Sequence, residues 1–268
     1  MMDLFDTHCH LDASEFEHDR DAVMQRARAC GVRGVLIPAV DVAGFERVRA
    51  LAHQIPEGAY AIGIHPMYVQ HTCESDLQRM QSFIETHRSD PRLVAVGEIG
   101  LDFFVQAIAD GDQRVRQIHF YRQQLRFALE FDLPVLLHVR RSQDELLKWL
   151  RREGSPGGIA HAFNGSAQQA EQFLGLGFAL GVGGAMTFSR ALQIRRLAKE
   201  LSLDGLVLET DGPDIAPAWL EKGQRNEPAE VLGVAQALAS LREVEIQTVI
   251  AQTAQTARRV IPRLGRIW

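Results

Sequence analysis

The chain has 268 residues, a formal charge of −5, 46% hydrophobic residues and 24% charged residues. These averages exclude wholesale disorder and fibrous repeats, and a length of roughly 250 residues is ordinary for a single α/β barrel. The negative balance argues against a broad basic face that grips nucleic acid by its phosphates, although bound metal ions can supply local positive charge.

Short apolar runs rich in Val, Ile and Leu recur in chain order, each followed by a longer amphipathic stretch. The predicted strands are 4–7, 34–38, 59–64, 93–97, 134–139, 158–162, 178–182 and 206–209. Between them the helical pattern covers 19–29, 75–88, 114–131, 143–152, 167–174 and 190–200. Runs of about 4–8 residues with β-branched enrichment read as strands rather than buried helix. Strands alternating with helices predict a parallel sheet buried on both faces. Eight such units, with no linker or composition break, predict one domain over 1–268, an α/β fold of the (β/α)8 TIM barrel type. A doubly wound open sheet is the alternative. Cys9, Cys30 and Cys73 are too few and scattered for a disulfide framework or a CxxC clip. The first residues are charged and short of apolar side chains, and no apolar run approaches the roughly 20 residues that span a bilayer. The expectation is a cytoplasmic protein with no membrane association and no obligate protein partner.

A barrel places its chemistry at the C-terminal ends of its strands. The first strand ends in His8-Cys9-His10, and residues two apart on a strand share a face. Both imidazoles then project together as a chelate for a divalent ion, while Cys9 points away into packing. Later strand ends bring His65, Glu98, Asp102, His138, His161 and Asp211. A lone histidine is more often a satisfied core residue. Four imidazoles and two carboxylates gathered on one rim are not required by packing, because each buried polar group costs stability unless paired. This donor set suits two divalent ions drawn from Zn, Mn, Mg or Co. His8, His10 and Asp211 can hold one and His138 with His161 the other, with Glu98 bridging, one oxygen to each. Asp211 is also placed to orient or deprotonate a water. Paired metal ions about 3.5–4 Å apart activate water and clamp the oxygens of a displacement.

The motifs DTHCHLD (6–12), GIHP (63–66), GEIGLD (97–102), LPVLLHVR (133–140), HAFNGS (161–166), GVGG (181–184), LETDGPD (208–214) and NEP (226–228) resemble those of the TatD family of metal-dependent hydrolases. They run in family order across essentially the whole chain. The resemblance implies a TIM barrel and two-metal hydrolysis of phosphoesters, with deoxyribonuclease activity. It implies His8, His10, Glu98, His138, His161 and Asp211 as metal ligands, with His65 beside the substrate phosphate. Two departures stand out. Gly212 occupies the position that is alanine in many members, and Phe103-Phe104 follows the LD pair where a tyrosine is frequent. The second bears on specificity, since that segment faces substrate in such barrels.

Further residues carry weaker readings. Arg140 shares the face of His138 and is placed to fork onto a phosphate, whereas alternation sends Arg141 outward. Asn164-Gly165-Ser166 reads as a polar turn opening a helix, able to offer backbone N–H groups to an anion. Asp102 and Asp214 are expected to orient ligands from behind. The glycines 181–184 fit either a phosphate-contacting loop or simple turn chemistry. The basic tail 258–268 is expected to pack on the barrel. Three functions remain: a phosphodiester hydrolase of single-stranded DNA or oligonucleotide ends working 3'-5', an amidohydrolase of small C–N, lactone or phosphomonoester substrates, and a non-catalytic metal-binding protein. Many amidohydrolases bridge their metals with a carboxylated lysine. Lys148, Lys199 and Lys222, the lysines of this chain, all lie away from strand ends, and Glu98 takes the bridging place. That favours the phosphoesterase.

Overall fold

The computed structural model describes residues 3–268. Among them, eight parallel strands form one sheet in sequential order: β1 Leu4–Asp6, β2 Val32–Pro38, β3 Ala59–Ile62, β4 Leu93–Asp102, β5 Val135–Arg140, β6 Gly158–Ala160, β7 Phe178–Val182 and β8 Leu206–Leu208. Backbone bonds close the ring between its first and last strands: Thr7 N donates to Leu208 O (3.1 Å), Asp211 N to His8 O (2.8 Å) and His10 N to Gly212 O (2.8 Å). The fold is the TIM barrel that the alternation of strand and helix predicts.

The helices α1 Arg20–Ala29, α2 Phe45–Gln54, α3 Glu74–His87, α4 Gln106–Ala109, α5 Gly111–Glu130, α6 Gln143–Glu153, α7 Ala167–Gly175, α8 Leu192–Glu200, α9 Val231–Arg242 and α10 Ile246–Val260 surround it. The sequence pattern predicts neither α2 nor α4 nor the final pair. α9 and α10 both lie over the seam between β8 and β1. β4 is also longer than expected: it continues for five residues past Gly97, fully buried throughout, and so carries Glu98 within a strand rather than in a loop.

Two apolar layers follow from the pleat, whose alternate side chains face opposite ways. Val35, Ile37, Ile62 and Val96 face the helices within the larger cluster. Phe5, Leu36, Ala61, Val94, Leu136, Ile159, Ala179 and Val207 fill the barrel's interior near the strand starts, sealed by Val260, Ile261, Leu264 and Trp268. Trp268 stacks on Phe5 with centroids 4.5 Å apart and donates to Asp3 (2.6 Å), as the packing role expected for the tail requires. Each such aliphatic or aromatic side chain removed from water contributes about 1.5–3 kcal/mol. With the strand starts plugged by apolar residues, polar chemistry is confined to the opposite end.

Candidate metal centre

At the C-terminal strand ends a cleft of about 1610 Å³ opens, with His10, His65, Glu98, His138, His161 and Asp211 among its lining residues. Asp6 joins the first and last strands beneath it, accepting hydrogen bonds from His8 N (3.2 Å), Thr210 N (3.0 Å) and Thr210 Oγ1 (2.5 Å). Burial pushes that carboxyl up to about 8. Beyond it His8 and His10 turn inward together. Cys9 is buried with Sγ 3.5 Å from Gly212 O, the packing role its alternation implies. Ala162 and Asp211, which follow β6 and β8, stand at φ +44° and +59°. Left-handed backbone at a non-glycine residue costs energy and recurs where a side chain must be aimed.

Glu98 is the hub. Its Oε2 lies 3.1 Å from His8 Nε2 and 3.3 Å from His10 Nε2. Its Oε1 lies 2.9 Å from His138 Nδ1, 3.3 Å from His65 Nε2 and 3.4 Å from His161 Nε2. Asp211 Oδ1 adds itself to the first set, 3.6 and 3.7 Å from the Nε2 atoms of His8 and His10. Among the described residues three groups converge closely enough to share an ion: His8, His10 and Asp211; His8, Glu98 and His161; and His65, Glu98 and His138. The expected pairing of His138 with His161 rests on both imidazoles facing Glu98 Oε1, and His161 also stacks on His8 with ring centroids 3.9 Å apart. His65 lies closer to the cluster than a purely substrate-facing place implies, with Nε2 3.0 Å from His138 Nδ1.

The electrostatics are those of a site short of positive charge. Burial works to raise Glu98, yet His65, His8 and His161 outweigh it and hold the carboxyl well below its usual range. Burial pushes His8 down to about 3 and His65 down to about 4. It opposes protonation of His10 and His161 too, but Glu98 lifts the first to about 9, while Asp211 and Glu98 lift the second to about 10. Burial raises Asp211 to about 6. Among the described residues the Nδ1 atoms of His8 and His10 are buried without a hydrogen-bond partner, and that of His161 meets Glu209 Oε1 at 3.5 Å. More imidazole nitrogens crowd Glu98 than two oxygens can pair, and a divalent cation between them would satisfy the excess. The donor set, nitrogen and carboxylate oxygen with no thiolate, fits such ions.

The other expected residues are placed as follows. Asp102 meets the far side of His138, with Oδ2 3.2 Å from Nε2. Asp214 does not: it is exposed, and its backbone, not its carboxylate, bonds to Asp211 O and Asn226 Nδ2. Arg140 lines the cleft, and so does Arg141, which strand alternation alone would send outward. Arg141 stands at φ +55°, where the pleat and its alternation have ended. Asn164 and Ser166 line the wall, but the Ser166 hydroxyl caps α7 by accepting from Gln169 N (3.1 Å).

Glu209 was missed. It is buried, accepts from Ala162 N (2.6 Å) and lies 3.5 Å from His161 Nδ1, so it stands behind that imidazole as Asp102 stands behind His138. The glycines 181–184 explain how it fits. A Cβ on Gly181 would stand 2.2 Å from Glu209 Oε2, and one on Gly184 would stand 2.1 Å from Ile215 O. They make room for Glu209 and the loop after β8, and the phosphate-loop reading is not needed. The available signal was the acid beside Asp211 combined with that glycine cluster.

A parallel barrel with a carboxylate shared by imidazoles at the C-terminal strand ends defines a class, the metal-dependent barrel hydrolases. The TatD related DNase family model matches residues 5–262. An uncharacterized metal-dependent hydrolase, YjjV of Escherichia coli K12, is 41% identical over 238 residues, covering 88% of this chain and 89% of that one. The 3'-5' ssDNA/RNA exonuclease TatD of Klebsiella pneumoniae is 32% identical, covering 95% and 96%. The crystal structure of the E. coli TatD homolog YJJV superposes with a TM-score of 0.90 at 37% identity, covering 97% of this chain and 98% of that one. The chain belongs to the TatD related DNase family and is a metal-dependent hydrolase acting on ester bonds.

Proposed function

We propose that the chain works as one domain and is a phosphodiester hydrolase that trims single-stranded DNA or oligonucleotide ends in the 3'-5' direction with two divalent ions. The observation that carries this reading is the division of Glu98, one oxygen facing His8 and His10 and the other facing His138, His161 and His65. His8, His10, Asp211 and Glu98 would hold one ion, and Glu98, His138 and His161 the other. Bound there, the pair supplies Lewis acidity toward a phosphoryl oxygen and lowers the pKa of water. Asp211, at the cleft surface beside His8 and His10, is placed to accept the proton of the attacking water. His65 and Arg140 line the cleft beside the cluster, where they can donate to non-bridging phosphate oxygens.

The Klebsiella relative carries the name of such an exonuclease. The charge of −5 implies weak long-range attraction for DNA, consistent with modest affinity and action at ends. The unpaired state of Cys9, Cys30 and Cys73 accords with a reducing, cytoplasmic setting, and among the described residues no helix is long and apolar enough to cross a membrane.

The test is cleavage of an end-labelled single-stranded oligonucleotide by metal-stripped protein with Mg, Mn, Co or Zn restored, beside an EDTA control and Asp211→Asn. A one-nucleotide ladder that requires both metal and Asp211 is expected. No cleavage with any metal would overturn the nuclease reading and direct attention to small amide, lactone or phosphomonoester substrates.

A further inference from the structure

We propose that Phe104, together with the guanidinium groups of Arg140 and Arg141 over its ring, forms a nucleotide subsite that takes the base flanking the scissile phosphodiester. This rests on the phosphodiester reading above and adds to it the part of the substrate held outside the metal cluster.

The two phenylalanines after the LD pair have different surroundings. Phe103 packs against the core with the Arg114 guanidinium 3.7 Å over its ring. Phe104 instead lines the cleft and is 44% exposed. The Arg140 and Arg141 guanidinium carbons lie 4.0 and 4.6 Å from its ring centroid. Arg141 reaches that position because its φ of +55° turns the chain out of strand alternation.

One carboxylate sets the spacing between this group and the metal cluster. Asp102 Oδ1 accepts from Phe104 N (2.8 Å) and Val105 N (2.9 Å). Its Oδ2 lies 3.2 Å from His138 Nε2 and 3.8 Å from Arg140 Nη1. Phe104, Arg140 and His138 are therefore held by the same side chain, and Asp102 is buried.

The chemistry selects the ligand. Aromatic rings and guanidinium planes both present faces on which an unstacked base can lie, and guanidinium also forks onto phosphate. Exposed Met67 and Tyr68, 41% and 42% accessible, add apolar surface to the same cleft. Such a platform suits a single strand, whose bases are free to leave the stack, and gives a phosphomonoester lacking a base nothing to hold.

The experiment compares Phe104→Ala and Arg141→Gln with wild type on two substrates, oligothymidylate and methyl p-nitrophenyl phosphate, which lacks a nucleobase. The kcat/KM ratio of oligothymidylate to the small diester is expected to fall about tenfold in Phe104→Ala, carried by KM. Arg141→Gln should lower it less and weaken its dependence on salt. An unchanged ratio in both variants would overturn the subsite while leaving phosphodiester hydrolysis standing. Binding gives a readout independent of turnover: in Phe104→Trp, oligothymidylate should quench fluorescence beyond the change seen in wild type. If neither diester is cleaved, the phosphodiester reading fails, and quenching then decides the subsite alone, its absence overturning it.

Discussion

The Glu209 carboxylate occupies the hollow left by Gly181, where a Cβ would stand 2.2 Å from its Oε2. That single missing methyl lets a carboxylate from the end of β8 stand behind His161 while it accepts from Ala162 N. Removing the charge (Glu209→Gln) or filling the hollow (Gly181→Ala) should both weaken metal binding about 10–100-fold, the usual effect of losing a partner behind a ligating histidine. Gly181→Ala should also cost about 1–3 kcal/mol of stability through overpacking. Competitive titration with a metal-sensitive dye and denaturant unfolding measure the two effects. Wild-type metal affinity in both variants would remove Glu209 from the site.

Glu98 and Asp211 should be indispensable for turnover but not for folding. Glu98→Ala and Asp211→Asn are expected to lose activity by about a thousandfold or more, on the scale of removing a group that acts as part of a unit. The barrel should persist, because the apolar layer that fills its interior lies nearer the strand starts. Turnover with far-UV circular dichroism checks both halves, and near-normal activity in either purified variant contradicts the assignment.

Arg92 lies far from the cleft, at the opposite end of the barrel. Its guanidinium donates to the carbonyls of Ala52 (2.7 Å), Ile55 (2.7 Å), Gly58 (2.8 Å) and Pro56 (2.9 Å), tying the end of α2 to the start of β3. Arg92→Ala leaves several acceptors short of a donor and should cost about 2–4 kcal/mol, with metal content unchanged. A shift of the urea midpoint without a change in bound metal is the expected result. Loss of metal instead would mean that the two ends of the barrel are coupled.

Asp90 should give stability an acid-side limit. Burial works to raise its carboxyl, but His53, Arg92 N and the Tyr60 hydroxyl together hold it below its ordinary value. A depressed carboxylate contributes stability that is complete above its unfolded pKa of 3.8 and disappears as pH falls through the lower folded value. Asp90→Asn should therefore be less stable than wild type near neutrality, by about 1–3 kcal/mol, with the gap closing in acid. Urea midpoints at about pH 6 and about pH 3 test this. A gap that does not narrow would show that charge is not what Asp90 contributes.

The order of strands and helices, and the residues gathered at the site, were legible in the chain because both follow from short periodicities. Apolar runs about the length of a strand alternate with helical stretches, and His8 and His10 share a face because the pleat repeats every second residue. His8, His10, His65, Glu98, His138, His161 and Asp211 are found by their places at predicted strand ends, whereas Glu209, at the end of the last one, is not. The final helices were not legible, since β8 is followed by a long irregular segment before α9 begins at Val231. Arg141 escaped the same rule that placed Arg140, because alternation ends where the backbone turns to positive φ. Proximity in sequence to Asp211 suggests a role for Asp214, but the backbone leaves its side chain exposed.

By itself, then, the sequence determined the barrel and the set of imidazoles and carboxylates on its rim, both consequences of local pattern repeated along the chain. Only the tertiary structure decided how that set is divided. Which oxygen of Glu98 meets His8 and His10 and which meets His138, His161 and His65 depends on how separate strands are placed around one axis. The same holds for Glu209 in the Gly181 hollow and for Phe104 beneath Arg140 and Arg141. These contacts join residues distant in the chain through shape and close approach, which no short periodicity encodes.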